Sequence, residues 1–287
     1  MIINEACGGT NTKVKNIGGK LQCFEGLLKT FFLTKENFSF ATVADAKLKA
    51  NSLTAIAAKE IAPFPLVGDV QLSNTEATVK DTLYQGSYEL TAAVPGEIYR
   101  IDTAVCTQEA LKSYENAGYT RIFQLTNEGE ITCDIQDDGT VKGRKLSSFN
   151  VGIRNSRVAG DIPFTNITVK FSSEIYSVLK TDSDLSDLEG ILDVNLEQVS
   201  ASATEIKFTA NVACSGTSAN TFVAADVIVK DTEGAVVAVT FVTPDPNGVY
   251  TVTGTGFATG YTLGLVDVVT QGEVFYESPE PLTIEVS

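Results

Sequence analysis

Five carboxylates stand close together in the middle of the chain: Glu128, Glu130, Asp134, Asp137 and Asp138. Two such groups can divide acid and base roles on a glycoside. That chemistry needs one pKa pushed up and an aromatic-lined cleft, and the chain has no Trp. Asp134-x-x-Asp137-Asp138-Gly139 also resembles the opening of a calcium loop. The twelfth position, where an EF-hand places a bidentate Glu, is Lys145. Asp-Gly between two alternating segments instead predicts a hairpin turn. The five acids are therefore read as candidate interface or lumen-lining residues, with no catalytic, cofactor or metal role.

Histidine is absent. This excludes Ser-His-Asp and Cys-His catalysis, and His-ligated zinc, iron and copper sites. The cysteines are Cys7, Cys23, Cys106, Cys133 and Cys214, and no two form a CxxC pair. Their odd number and wide spacing predict free thiols from a reducing cytosol, with Cys133 in the core beside Ile131 and Ile135. Gly254-x-Gly256-x-x-x-Gly260 lacks dinucleotide-fingerprint spacing and no helix follows it. Arg144-Lys145 and Arg154/Arg157 are the densest basic spots, expected as solvated strand positions or ion pairs between subunits. No enzyme activity and no cofactor are expected.

Thr42–Glu60 is predicted as a helix capped by Thr42 and stopped by Pro63-Phe64-Pro65. A second helix is predicted over Thr107–Gly118. Period-2 alternation marks three strands. In Glu130–Gln136, Ile131, Cys133 and Ile135 face in, and Glu130, Thr132, Asp134 and Gln136 face a wet side. Ser148–Arg154 turns Phe149, Val151 and Ile153 inward, and Asn166–Phe171 does the same with Ile167, Val169 and Phe171.

Charge divides the chain. Of 287 residues, 36 are acidic and 21 basic, a net of −15. Ile191–Ser287 holds twelve acidic residues against two basic ones, Lys207 and Lys230, for a net of −10. Four segments are expected: an extended Gly-rich arm over 1–20, a β-rich assembly domain over 21–180, an acidic linker over 181–190 and a β-sandwich over 191–287. The acidic balance argues against tight nucleic-acid binding. The longest aliphatic run, Ala235–Val239, is too short for a membrane-spanning helix. Met1–Gly9 lacks the basic and apolar regions of a secretion signal, so none is expected. The fold class is mainly β with a minor helical part: an N-terminal β-sandwich or barrel-like domain with one or two helices, then an Ig-like β-sandwich.

The strands of the last segment recur every 8–12 residues or so. Its Phe257-x-x-Gly260-Tyr261-x-Leu263 resembles a tyrosine corner. The segment resembles bacterial and phage Ig-like domains appended to surface-exposed proteins, which implies display rather than chemistry. Gln22–Leu179 is similar to virion structural proteins of tailed bacteriophages, of the major tail or tail tube type. The likeness rests on Cys23-Phe-Glu-Gly-Leu-Leu-Lys-Thr-Phe-Phe-Leu33, the helix ending before Pro63-Phe-Pro65, and the hairpin Thr126–Gly143 with its return to Phe171. It implies self-association into rings or shells, contact with other virion proteins, and location in the virion after synthesis in a bacterial cytoplasm. A capsid decoration or auxiliary capsid protein, a head–tail connector, a fibre base and a non-viral Ig-like adhesin are the alternatives. The resemblance gives no single residue a role. An acidic wall would let DNA slide without sticking, which is the job proposed for the five carboxylates.

Overall fold

In the computed structural model, residues 2–4, 9–11, 26–82, 86–155, 160, 162–242, 244–245 and 248–286 are described. The chain forms two compact units, Met1–Leu188 and Glu189–Ser287, and is mainly β.

The first unit is organised around one strand, Tyr119–Thr126, flanked along one edge by Leu28–Lys35. Its other edge is shared. Gln124 and Leu125 pair with Glu130–Ile135, whereas Arg121 and Ile122 pair with the start of Arg144–Val151. The sheet therefore forks. One branch continues through Ser177–Lys180 to Ile2–Asn4 and Gly9–Asn11. The other continues through Phe164–Phe171 and Gly96–Asp102 to the edge strand Asp69–Leu72. Gly143 sits at the fork. A Cβ there would lie 2.9–3.0 Å from backbone atoms of Ile122, so only glycine lets the two strands approach. The second branch folds over the trunk and closes a core in which Phe31, Leu33 and Ile122 meet Tyr99, Ile167 and Val169.

The helices are shorter than their sequence pattern predicts. Thr42 does cap a helix, accepting from the Asp45 amide at 3.1 Å, but that helix ends at Ala46. Leu48 is extended, and a second helix runs over Lys49–Ala57. The third is Val105–Ser113 with Ala104 rather than Thr107 at its cap. Ser148–Arg154 is corrected likewise: the strand ends at Val151, and Ile153 is 83% exposed. Ile2–Asn4 and Gly9–Asn11 lie on the unit's own sheet, with Ile3 buried; the rest of the expected arm over 1–20 falls outside the described residues. The acidic stretch 181–190 is packed rather than loose up to Leu188. Leu185 and Leu188 are buried, and Asp184 and Asp187 meet Lys29 and Lys49 at 3.7 and 2.8 Å.

One feature leaves the body of this unit. Asp69–Leu72 and Gly96–Asp102 continue beyond their pairing as a two-stranded ribbon, through Thr75↔Val94 to Thr78↔Thr91 and Thr82↔Gly86. Ten residues of strand from Leu72 to Thr82 span roughly 30 Å. Side chains from Asn74 to Thr78 and from Thr91 to Ala93 are all exposed, and Leu72 is 76% exposed.

The second unit is a β-sandwich. A six-stranded sheet lies against a three-stranded one made of Val227–Lys230, Thr262–Leu265 and Leu282–Thr283. Phe208, Tyr250 and Val252 of the first meet Val229 and Leu263 of the second in one apolar core. The hydroxyl-anchored tyrosine is Tyr250, not Tyr261. Tyr250 is fully buried, donates to the Ala219 carbonyl at 2.6 Å and accepts from the Phe222 amide at 3.2 Å. Tyr261 packs on the core only from its margin.

Cysteine pairing differs from expectation. Cys133 is a buried thiol as predicted, but Cys106 and Cys214 each take part in a disulfide. Among the described residues no helix is long and apolar enough to cross a membrane.

Candidate functional site

The five carboxylates do not form one constellation. Glu128 is exposed in the turn that enters Glu130–Ile135, and Asp137 and Asp138 are exposed in the hairpin that leaves it. Glu130 and Asp134 are four residues apart on a strand, roughly 13 Å. The expected wet face is largely interior: Glu130 and Thr132 are buried and the Asp134 side chain is 25% exposed. Glu130 is therefore corrected as a lumen-lining candidate. It accepts from the Gly26 amide at 3.1 Å and from the Thr126 hydroxyl, tying the strand to the chain across from it. Asp138 accepts from the Thr140 amide and hydroxyl at 2.9 and 2.7 Å, which lowers its pKa. Gly139, at φ 87°, completes the turn that the Asp-Gly pair predicts. Among the described residues no group of three or more Asp, Glu, Cys or His could hold a metal.

The chemistry concentrates at the fork instead. The two branches diverge from Tyr119–Thr126 between Ile122 and Gln124. Gln124 fills this place. Its amide nitrogen donates to Glu97 Oε2 at 2.7 Å and to the Tyr99 hydroxyl at 2.9 Å. Its oxygen accepts from Thr132 at 3.0 Å and from Arg144 Nη1 at 2.6 Å. The side chain thus uses its whole hydrogen-bonding capacity within the protein. The Tyr99 hydroxyl in turn donates to Glu97 at 2.6 Å. Burial raises the Tyr99 pKa well above its ordinary value, and Glu97 adds to the rise.

Arg144 is clamped between two aromatic faces, 3.8 Å from the Phe171 centroid and 4.0 Å from that of Tyr176. The residue is only 5% exposed, and burial lowers its pKa. Its Nε has no hydrogen-bond partner. Beside it lies a cavity of about 410 Å³. Arg144, Gln124, Glu97, Thr126 and Thr132 line its polar side, and Leu27, Val67 and Val70 its apolar side. A second charged cluster stands on the outer side of the same strands. Glu36 accepts from Thr120 at 2.8 Å and from Arg121 at 3.0 Å, with Lys145 at 3.5 Å. The Thr120 bond, helped by the two cations, holds the Glu36 pKa at about 2. Asp134, 3.7 Å from Arg121, moves the other way because burial dominates.

Of the Arg144-Lys145 pair, expected as solvated positions or ion pairs between subunits, Lys145 is exposed but Arg144 is buried rather than solvated. The signal was present: Arg144 shares the parity of buried Leu146, whereas Lys145 shares that of exposed Ser147. Gln124 had no such signal, since Tyr119–Thr126 is buried on both faces from Arg121 onward. Against protein-family models the chain matches none, and no curated protein matches it significantly.

Proposed function

We propose that this chain is a self-assembling structural subunit of the tailed-phage virion type, most specifically a tube-forming tail subunit carrying a β-sandwich appendage. The ribbon Asp69–Asp102 carries this reading. A two-stranded ribbon alone is marginally stable in water, and this one extends past its sheet with its side chains from Asn74 to Thr78 and from Thr91 to Ala93 exposed. Such an arm gains its core from a neighbour. Among the described residues both ends of the forked sheet are also open edges, Gly9–Asn11 at one and Asp69–Leu72 at the other. Joining unlike edges is a head-to-tail contact, which closes into a ring when the rotation between copies divides the full turn evenly. The net charge of −15 suits a particle that must neither clump nor hold DNA. Of the five acidic candidates, Glu128, Asp137 and Asp138 keep the exposure a lining role needs.

The test is assembly of the full chain. Sedimentation and negative-stain microscopy at rising concentration are expected to show rings or stacked rings. Replacing residues 74–95 with an Asn-Gly turn is expected to leave a folded monomer. A wild-type chain that stays monomeric at high concentration, or a shortened chain that assembles as before, sinks the proposal. Particles of another shape would move the chain to a capsid, connector or fibre position.

A further inference from the structure

The cavity at the fork is the place where the interior is electrically incomplete. Arg144 is a buried cation, yet no carboxylate among the described residues lies within 4.0 Å of its guanidinium, and its one hydrogen bond goes to Gln124. Buried charges are ordinarily paired, because an unpaired one loses its hydration without recompense. Glu97, on the same cavity lining, and Asp134 act on it only from beyond 4.0 Å. Gln124 has no capacity left, and Glu97 Oε2 is already shared by Tyr99 and Gln124. What remains over is donors: four of the five guanidinium N–H groups, on a planar group held in place by two rings. A planar acceptor with two oxygens matches that fork best. The opposite wall is mostly apolar, with Leu27 and Val70 reaching solvent at 78% and 37% exposure, and it also carries Asp69.

We propose that this cavity binds a carboxylate carried on a short apolar stem, with Arg144 as its anchor and the Leu27–Val70 side as the seat of the stem. The carboxylate comes either from a free small acid or from an acidic side chain of a second copy, and the same chemistry serves both. The inference stands on the cavity alone and does not need the ring reading.

The probe is butyrate, compared with butyramide at constant ionic strength. The full chain has five arginines, so their side-chain Nε–H signals can be followed by NMR in ¹⁵N-arginine-labelled protein, with Arg144→Lys assigning the one of interest. Butyrate is expected to shift the Arg144 signal saturably, and butyramide to bind roughly tenfold or more weakly, as loss of a charged hydrogen bond implies. Val70→Trp, at the rim and outside the polar network, is expected to abolish the shift while leaving the fold intact. Sedimentation separates the sources. If a second copy supplies the group, butyrate dissociates the wild-type complex and Val70→Trp does not form it; if a free acid is the ligand, butyrate leaves association unchanged. An Arg144 signal that ignores butyrate, or answers the amide equally, together with association that butyrate does not touch, overturns the proposal.

Discussion

The two units solve the same problem in opposite ways. The second is a dry sandwich: one apolar core, with Tyr250 stacked on Phe208 at 5.2 Å and its hydroxyl bonded to two backbone groups. The first has an apolar core of the same kind on one side of its trunk strand, and at the fork a polar interior of Gln124, Glu97, Tyr99, Thr132 and Arg144. It also sends out a ribbon it cannot cover. At the split, next to Ile122 of the apolar core, charge and hydrogen bonds fill the interior. The lesson is that one apolar core suffices to hold the second unit, whereas the first joins its apolar core to a polar interior and an uncovered ribbon.

The contrast breaks most easily at the dry core. Phe208→Ala is expected to cost about 3–5 kcal/mol, through lost burial and a cavity that stacked neighbours cannot close. Denaturant unfolding should show the loss in the second unit's transition. Gln124→Leu tests the polar interior. It removes four hydrogen bonds and leaves Arg144 with none, so a loss of about 3 kcal/mol is expected despite the gain in apolar volume. A neutral or stabilising result would show that the network is dispensable and that the units are alike.

Tyr250→Phe sharpens the second half of the comparison. Two backbone groups lose their partner, so about 1–2 kcal/mol should go, while Tyr261→Phe should change stability by a few tenths at most. The smallest effect concerns pH. Glu36 is held at about 2, below the usual 4.5, so its contribution is complete above pH 4.5 and is lost as pH falls toward 2. Carboxyl NMR titration should give that low midpoint. Thr120→Val should raise it, since the Thr120 hydroxyl is the largest cause. Glu36 is 44% exposed, so the effect on stability is small.

Local rules carried the reading a good way. Alternation placed Ile131, Cys133 and Ile135 inside, and the Asp-Gly pair placed the turn after them. The same alternation runs over Ile191–Ala201, with Val194 and Leu196 buried between exposed Asp193, Asn195 and Glu197. A single helix over Thr42–Glu60 failed because Leu48 takes an extended conformation between two short helices, a choice that no residue type there enforces. The residues around Tyr261 match the corner pattern, while Tyr250 holds that role because its strand pairs it directly with Phe208.

What the sequence determined by itself was the β class, the acidic charge and the alternating faces, because each depends on residue type and on neighbours two or four positions away. The tertiary structure decided which polar residues are interior. Burial of Glu130, Gln124 and Arg144 follows from two strands sharing one edge of a third, a pairing between residues twenty or more positions apart for Gln124 and Arg144. A side chain's parity says which face it occupies. Only the packing of distant strands says whether that face meets water.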